Sequence, residues 1–256
     1  MGNQQNNTNS QIVIVIMGPP GSGKGTQAQS LASKYNLFYF STGELMRQEV
    51  RKATPMGKKI ADFFTSHKGE LLPEDLVETF VKDKLTNITT SCGIIFDGYP
   101  RTIKQAKDLE IILKEKKLPL PIIINLQVSK ASLKKRILSR RTCEKCGKIF
   151  YPAKSLQFQK CDCGGNLIKR PDDQPKIIDR RIIEYQKETK PLIDYYNAKH
   201  LTYGYNAKHL TYGYNAKHLT YGYNAKIINI DGEPSIEQVR DDIYKKLDQL
   251  YSENDL

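Results

Sequence analysis

Short apolar runs alternate with longer amphipathic stretches along most of this chain, a pattern that predicts a parallel sheet covered by helices. The predicted strands are Ile12–Met17, Phe38–Phe40, Ile94–Asp97, Ile122–Val128 and Ile227–Ile230. The predicted helices are Gln27–Tyr35, Glu44–Thr54, Leu76–Thr86, Thr102–Lys116, Lys130–Arg141, Lys176–Tyr196 and Ser235–Tyr251. The predicted fold class is therefore α/β, with a five-stranded parallel sheet flanked by helices.

Length and composition favour one α/β domain that carries small insertions. A chain of 256 residues buries one sizeable core. Its longest apolar runs are strand-sized, so we expect no membrane partner. Residues 1–10 are rich in Asn and Gln and lack an apolar segment, which predicts a disordered tail rather than a targeting peptide. We therefore expect a cytoplasmic protein.

The segment Gly18-Pro-Pro-Gly-Ser-Gly-Lys-Gly-Thr26 follows the first predicted strand and precedes the first predicted helix. In this order, backbone N–H groups and the helix N-terminus converge on one point, and Lys24 adds a cation. The segment therefore predicts a phosphate site. It departs from the usual pattern at Gly25, where a Ser or Thr normally follows the lysine and helps to bind Mg²⁺.

Two further motifs follow the next predicted strands. Ser41-Thr-Gly-Glu-Leu-Met-Arg47 places an arginine one helical turn after a small turn, which suits a monophosphate. Asp97-Gly-Tyr-Pro-Arg-Thr102 offers a carboxylate for a water of Mg²⁺ and an arginine for phosphate. Because ligands of open parallel sheets bind beyond the carboxyl ends of the strands, we expect all three motifs to form one site.

With these motifs in order, the chain resembles the adenylate kinases, within the nucleoside monophosphate kinase family, across residues 11–251. The resemblance also rests on Arg140-Arg141, on Arg-Pro-Asp-Asp-Gln from Arg170 and on Asp-Arg-Arg from Asp179. It implies the reaction MgATP + AMP ⇌ 2 ADP. It implies a P-loop core, an AMP-binding lid and a long ATP lid. The corresponding residues are 11–40, 73–138 and 174–256 for the core, 41–72 for the AMP-binding lid and 139–173 for the ATP lid.

The resemblance also implies roles for individual residues. The catalytic cations would be Lys24, Arg101, Arg140, Arg170 and Arg181. ATP would be bound by Gly21, Ser22, Gly23, Lys24, Gly25, Thr26, Arg136, Arg140, Ile149, Phe150 and Pro234. AMP would be bound by Thr42, Gly43, Arg47, Glu70, Leu71, Leu72, Gly98, Arg101, Gln105, Arg170 and Arg181, and Asp97 would hold Mg²⁺ through water.

Four of the five cysteines cluster within the expected ATP lid, which in a chain without a signal peptide favours metal binding over disulfides. Cys143 and Cys146 resemble half of a structural zinc site. The second half is Cys161-Asp-Cys163, and its single intervening residue predicts a strained chelate. Two lids therefore stay possible: one with Zn²⁺ bound by all four thiolates, and a metal-free lid held by Ile149, Phe150 and Leu167.

Residues 197–223 are three identical copies of Asn-Ala-Lys-His-Leu-Thr-Tyr-Gly-Tyr, followed by Asn-Ala-Lys. A nine-residue period matches none of the common solenoids, so we expect an insertion in the connection before the last strand. A His- and Tyr-rich metal or partner site and local β-pairing are the alternatives.

The net charge of +12 raises the alternative of a non-catalytic module that binds nucleotides or RNA. A site for two nucleotides accounts for part of this charge, and no aromatic-rich RNA motif is visible. We therefore expect ATP and AMP as partners, a monomer, and no nucleic acid. A GTP-using relative is the closest alternative, because backbone contacts discriminate weakly between donor bases.

Overall fold

The computed structural model describes residues 11–86, 88, 92–151, 160–199 and 226–252, and the structural statements below concern these residues. The predicted disordered tail and most of the repeat lie outside them. The strands are β1 Val13–Met17, β2 Phe38–Ser41, β3 Ile94–Asp97, β4 Ile122–Gln127, β5 Arg141–Cys143, β6 Ile149–Phe150, β7 Leu167–Ile168 and β8 Ile227–Asp231. The helices are α1 Lys24–Lys34, α2 Thr42–Arg51, α3 Pro55–Ser66, α4 Glu74–Thr86, α5 Ile103–Glu115, α6 Lys130–Ser139, α7 Pro175–Glu184, α8 at residues 191–199, and α9 Ile236–Ser252.

The main sheet has the strand order β2-β3-β1-β4-β8, and all neighbouring strands in it are parallel. Its central strand β1 is buried along its whole length. Val13 and Val15 pack on one face with α4, α5 and α8, whereas Ile14 and Ile16 pack on the other with α1 and α9. Burial on both faces explains why the central strands β1 and β3 are continuous apolar runs. The predicted fold class is confirmed.

Two smaller units extend from the carboxyl edge of this sheet. Helices α2 and α3 pack against each other between β2 and α4. Strands β6, β5 and β7 form a separate antiparallel sheet between α6 and α7. They correspond to the two segments expected to act as lids.

The predicted helix Glu44–Thr54 is wrong at its end. It stops at Arg51, and Thr54 instead begins a second helix, α3, that the sequence analysis did not predict. The Thr54 side chain accepts a hydrogen bond from the N–H of Gly57, and Pro55 occupies the first helical position. This is a recognisable start signal, because proline fits the first turn and threonine caps it.

The predicted helices Lys130–Arg141 and Lys176–Tyr196 also differ from the structure. The first ends at Ser139, and Arg141 begins β5. The second is interrupted by a π-helical turn at Tyr185–Thr189, and helix α8 then continues to residue 199. The first three residues of the repeat are therefore helical, which corrects the expectation that the whole repeat lies in a connection.

Within the described residues, every helix is too short or too polar to cross a bilayer.

Candidate functional site

The glycine-rich segment forms a turn whose backbone can surround an anion. Gly18, Gly21 and Gly23 have φ values of +144°, +83° and +97°, a region that side-chain-bearing residues rarely adopt. Gly23 is the N-cap of α1, and the first N–H groups of a helix lack partners within it. The buried hydroxyl of Ser22 has no hydrogen-bond partner among the described residues, and a phosphate oxygen would supply one. Gly25 and Thr26 lie in the first turn of the same helix.

Lys24 points back into this turn. Its Nζ donates to Gly18 O at 2.6 Å and to Pro19 O at 2.9 Å. Withdrawal from bulk water lowers the pKa of Lys24 to about 7, although the negative charge of Asp97 acts in the opposite direction. A bound phosphate group would favour the charged form of Lys24.

Asp97 ends β3 next to the loop. Its Oδ2 accepts hydrogen bonds from Tyr39 Oη at 2.9 Å and Ser41 Oγ at 3.2 Å. A Cβ atom placed on Gly25 would lie 3.3 Å from the same oxygen, so α1 approaches this carboxylate closely. Carboxylate oxygens are hard ligands that suit Mg²⁺ and its bound waters. The donor chemistry at Asp97 therefore fits the metal of MgATP.

A cleft of about 600 Å³ opens beside the loop and reaches Lys24. Every residue that the sequence analysis assigned to AMP lines this cleft. These residues are Thr42, Gly43, Arg47, Glu70, Leu71, Leu72, Gly98, Arg101, Gln105, Arg170 and Arg181. The three motifs that follow β1, β2 and β3 thus meet in one place, as their position at the strand ends predicts.

Hydrogen bonds between the motifs fix the floor of the cleft. Thr42 Oγ1 donates to Gly98 O at 2.8 Å, and Arg101 Nε donates to the same carbonyl at 3.0 Å. The buried Gln105 accepts the backbone N–H of Arg101 through Oε1 at 2.8 Å. The Arg101 side chain lines the cleft, and its pKa is lowered, first by partial dehydration and then by the nearby charge of Arg181.

Acidic side chains hold several of the arginines. Arg140 Nε donates to the fully buried Asp173 at 3.0 Å, and Arg181 pairs with Asp172 at 2.7 Å. Arg170 is different, because its Nε donates to the neutral hydroxyl of Thr142 at 2.9 Å. Burial, followed by the charges of neighbouring arginines, lowers the pKa of Arg170 to about 10. These cations repel one another, and bound phosphate groups would relieve that repulsion.

Arg47 on α2 also has an acidic partner. Its Nε and Nη2 donate to Glu44 Oε2 at 3.2 and 3.0 Å, while Arg51 donates to Oε1 at 2.8 Å. A Cβ on Gly147 would lie 2.8 Å from the Glu44 carboxylate, so the turn before β6 closely approaches α2. The two smaller units therefore meet across the cleft.

The residues predicted for the ATP base lie outside the lining of this cleft. Arg136 Nη2 donates to Glu233 O at 3.1 Å, next to Pro234. Ile149 reaches the loop from β6, since its Cδ1 lies 3.7 Å from the Cβ position of Gly25. Phe150 is the next residue of β6. Arg136, Ile149, Phe150 and Pro234 are thus absent from the lining of the AMP-side cleft, and Ile149 approaches the loop.

Comparisons with known proteins agree with this geometry. The adenylate kinase family model matches residues 16–201. An adenylate kinase of Methanothrix thermoacetophila is 38% identical over 242 residues, which cover 93% of this chain and 99% of that protein. The chain belongs to the adenylate kinase family. The adenylate kinase of Caldanaerobacter subterraneus is 37% identical over 237 residues, which cover 91% of this chain and 95% of that protein. The adenylate kinase of Archaeoglobus fulgidus is 40% identical over 193 residues, which cover 74% of this chain and 88% of that protein.

The four cysteines of this adenylate kinase family member converge in the small sheet. All their sulfur atoms lie within 4.8 Å of one another. Cys143 and Cys163 are 3.5 Å apart at Sγ, and Cys146 and Cys161 are 3.6 Å apart. A tetrahedral zinc site with Zn–S bonds of about 2.3 Å has sulfur atoms about 3.8 Å apart. The four thiols therefore fit Zn²⁺, and the single residue between Cys161 and Cys163 does not prevent their convergence.

Several residues at the site were missed by the sequence analysis. Asp172 and Asp173, which hold two of the arginines, stand in the quoted motif after Arg170, and two acidic residues among cations were a usable signal. Glu44 likewise stands inside a quoted motif. Tyr39 gave no signal, because nothing in a short strand indicates that a tyrosine hydroxyl will reach the end of the neighbouring strand.

Proposed function

We propose that this chain catalyses the reversible transfer of the γ-phosphoryl group of MgATP to AMP, giving two molecules of ADP. The observation that carries the proposal is the position of Lys24. It lies in the phosphate loop and also borders the cleft to which Arg47, Arg101 and Arg181 contribute. A donor phosphate in the loop and an acceptor phosphate in the cleft would therefore meet at one lysine.

On the donor side, we assign the triphosphate to Gly21, Ser22, Gly23, Gly25 and Thr26 together with Lys24. Backbone N–H groups at a helix N-terminus suit phosphate oxygens. Arg136 and Pro234 would contact the adenine and ribose, and Ile149 and Phe150 would cover them from the ATP lid.

On the acceptor side, Arg47 and Arg101 would bind the AMP phosphate. Arg47 must then share or leave Glu44, whereas Arg101 is already held by Gly98 O (3.0 Å). Gly98, Gln105 and the backbone of Glu70–Leu72 would contact the adenine. Thr42 and Gly43 border the same space, and the hydrogen bond from Thr42 to Gly98 O keeps α2 against β3.

Transfer itself needs in-line positioning and neutralisation of charge rather than covalent catalysis. Arg140, Arg170 and Arg181 would surround the transferred group, each placed by a partner described above. Asp97 would hold the Mg²⁺ of MgATP through water, and Mg²⁺ neutralises charge on the donor phosphates.

We assign residues 41–72 to an AMP-binding lid and residues 139–173 to an ATP lid of the long type. The contact between Gly147 and Glu44 supports this assignment, because the two units already touch above the cleft. Closure would exclude water from the transferred phosphoryl group. Cys143, Cys146, Cys161 and Cys163 would bind a structural Zn²⁺ that orders the ATP lid and leaves no position open for catalysis.

We further propose a monomeric, cytoplasmic enzyme with ATP and AMP as partners and no nucleic acid or membrane partner. The concentration of arginine in the cleft supports this proposal, since it accounts for part of the net charge of +12. Size-exclusion chromatography with light scattering tests the monomeric state, and a nucleic-acid mobility-shift assay tests the absence of a nucleic-acid partner.

A panel of nucleotides tests the reaction. ATP and GTP are offered as donors to AMP, CMP and UMP, and nucleoside diphosphate formation is followed by chromatography. We expect ATP with AMP to give the highest kcat/KM. A higher kcat/KM for GTP with AMP would show that GTP, not ATP, is the preferred donor. If no pair of nucleotides reacts, the proposed function is contradicted.

A further inference from the structure

Two hydroxyl groups from β2 hold the carboxylate of Asp97. Tyr39 and Ser41 both donate to Oδ2, at 2.9 and 3.2 Å. They stand two residues apart in one strand, so their side chains lie on the same face of the sheet. Strand β2 pairs with β3 in register, with Ser41 opposite Asp97. The carboxylate therefore has a fixed support that comes from a neighbouring strand.

The support faces the phosphate loop. A Cβ atom at Gly25 would lie 3.3 Å from Asp97 Oδ2 and 3.6 Å from Tyr39 Oη. Gly25 stands where phosphate loops usually carry a hydroxyl residue, so here the hydroxyls next to the carboxylate come from β2 instead. Both donate to one oxygen, and within the described residues Oδ1 accepts no hydrogen bond from a side chain.

We propose that Tyr39 and Ser41 are positioning residues for the metal of MgATP, because they fix the Asp97 carboxylate so that it presents Oδ1 to a metal-bound water. Without them the carboxylate would rotate, and it would turn toward the nearby cation of Lys24. Partners of this kind orient metal-binding groups, and their loss usually weakens metal binding by tenfold or more. The inference rests on the proposed function, since it deepens the role given there to Asp97.

The hydroxyl of Tyr39 is the closer of the two donors to Asp97 Oδ2, at 2.9 Å. Phenylalanine at position 39 would retain the ring and remove only this donor.

The test measures the affinity of Mn²⁺, an EPR-visible substitute for Mg²⁺, for the full chain saturated with a non-hydrolysable ATP analogue. We expect Tyr39→Phe to weaken Mn²⁺ binding about tenfold and Ser41→Ala to weaken it less, because its bond is longer. Tyr35→Phe is the matched control. It removes a tyrosine hydroxyl that donates to a carboxylate, Asp248 Oδ1 at 2.6 Å, far from the loop. Its Mn²⁺ affinity should equal that of the parent.

Two further measurements separate positioning from a structural role. The affinities for AMP and for the metal-free ATP analogue should stay within about twofold in Tyr39→Phe, whereas the Mg²⁺ concentration for half-maximal velocity should rise about tenfold. Parent-like Mn²⁺ affinity in folded Tyr39→Phe would overturn the inference, as would an equal loss of metal-free nucleotide binding. If Tyr39→Phe does not fold, Ser41→Ala decides by the same criteria. A parent protein that makes no ADP would contradict the proposed function. An active parent whose Tyr39→Phe and Ser41→Ala variants keep the parent Mn²⁺ affinity would contradict only this inference.

Discussion

Arg101 is the residue whose removal tests the acceptor site most selectively. It lies in the cleft and forms its described side-chain hydrogen bond with Gly98 O. Arg101→Ala should therefore lower kcat/KM about a hundredfold or more, because losing one charge-assisted contact costs about 3 kcal/mol of transition-state stabilisation. Arg240→Ala is the control, since that arginine pairs with Asp241 on the exposed side of α9. Near-normal activity of a folded Arg101→Ala would contradict the assignment.

The lowered pKa of Lys24 predicts a coupling between protons and nucleotide binding. In the free protein its pKa is about 7, so at pH 8 most of the lysine is neutral. A triphosphate favours the charged form, so binding at pH 8 should take up nearly one proton, and affinity should fall as pH rises above 7. Calorimetry in buffers of different ionisation enthalpy measures this uptake. Lys24→Arg, which stays charged, should show none; equal uptake in both proteins would exclude Lys24 as the source.

The site residues differ in how far the sequence could predict them. Lys24, Arg47 and Arg101 stand at fixed places in motifs that follow strands, so their convergence follows from the parallel sheet. The partners that hold Arg140 and Asp97 depend instead on side-chain geometry across the fold. Asp173 accepts from Arg140, 33 positions away, and Tyr39 donates to Asp97, 58 positions away. A local sequence pattern cannot predict contacts between residues so far apart in the chain.

Among the structural elements, we expect the proposed ATP lid to need Zn²⁺ for its stability, because four cysteines converge there. Purified protein should carry about one zinc per chain, and chelation should lower Tm more than it lowers activity at low temperature, because the metal orders a lid and performs no chemistry. Atomic absorption and calorimetry measure the two quantities. Absence of zinc after reconstitution would favour the metal-free lid.

A pair of cysteine variants sharpens this test. Cys163→Ser removes one of the four converging sulfurs and should lower both the zinc content and Tm. Cys92→Ser is the matched control, because Cys92 lies outside the cluster and should change neither quantity. Equal effects of the two substitutions would mean that the cluster has no special role.

The central strands β1 and β3 were predictable because both faces of the sheet are buried there, which makes each of them a continuous apolar run. Helix α3 was missed although Thr54 and Pro55 mark its start, because the sequence analysis makes Thr54 the last residue of the preceding helix and predicts no element directly after it. The π-helical turn at Tyr185–Thr189 was not predictable from periodicity, since one extra residue in a turn leaves the flanking apolar pattern nearly unchanged.

Contacts with the core anchor the chain at Lys199, near the start of the repeat, and at Lys226, just after it. Lys199 forms an ion pair with Glu110 on α5, and Tyr195 donates to the same carboxylate at 3.0 Å. At the other end, Lys226 O accepts the N–H of Ile123 at 2.7 Å. Lys199 and Lys226 are therefore anchored to different parts of the core.

Deletion of residues 200–217 removes two nine-residue units and keeps both anchors. Because loop-closure entropy varies slowly with length, the free energy of unfolding should change by about 1 kcal/mol, and we expect an increase. The kcat should stay within about threefold of the parent value. Deletion of residues 197–223 leaves one lysine to serve as both Lys199 and Lys226, so its Tm should fall below that of the shorter deletion. Loss of activity in the shorter deletion would show that the removed units have a structural role.

We propose that one cleft exchanges a phosphoryl group reversibly between two adenine nucleotides. To test this reaction, the purified chain is incubated with MgADP alone and the products are followed by ³¹P NMR. ATP and AMP should appear in equal amounts, with no inorganic phosphate, and Arg101→Ala should slow their appearance at least a hundredfold. Release of inorganic phosphate, or unchanged ADP with folded parent protein, would contradict it.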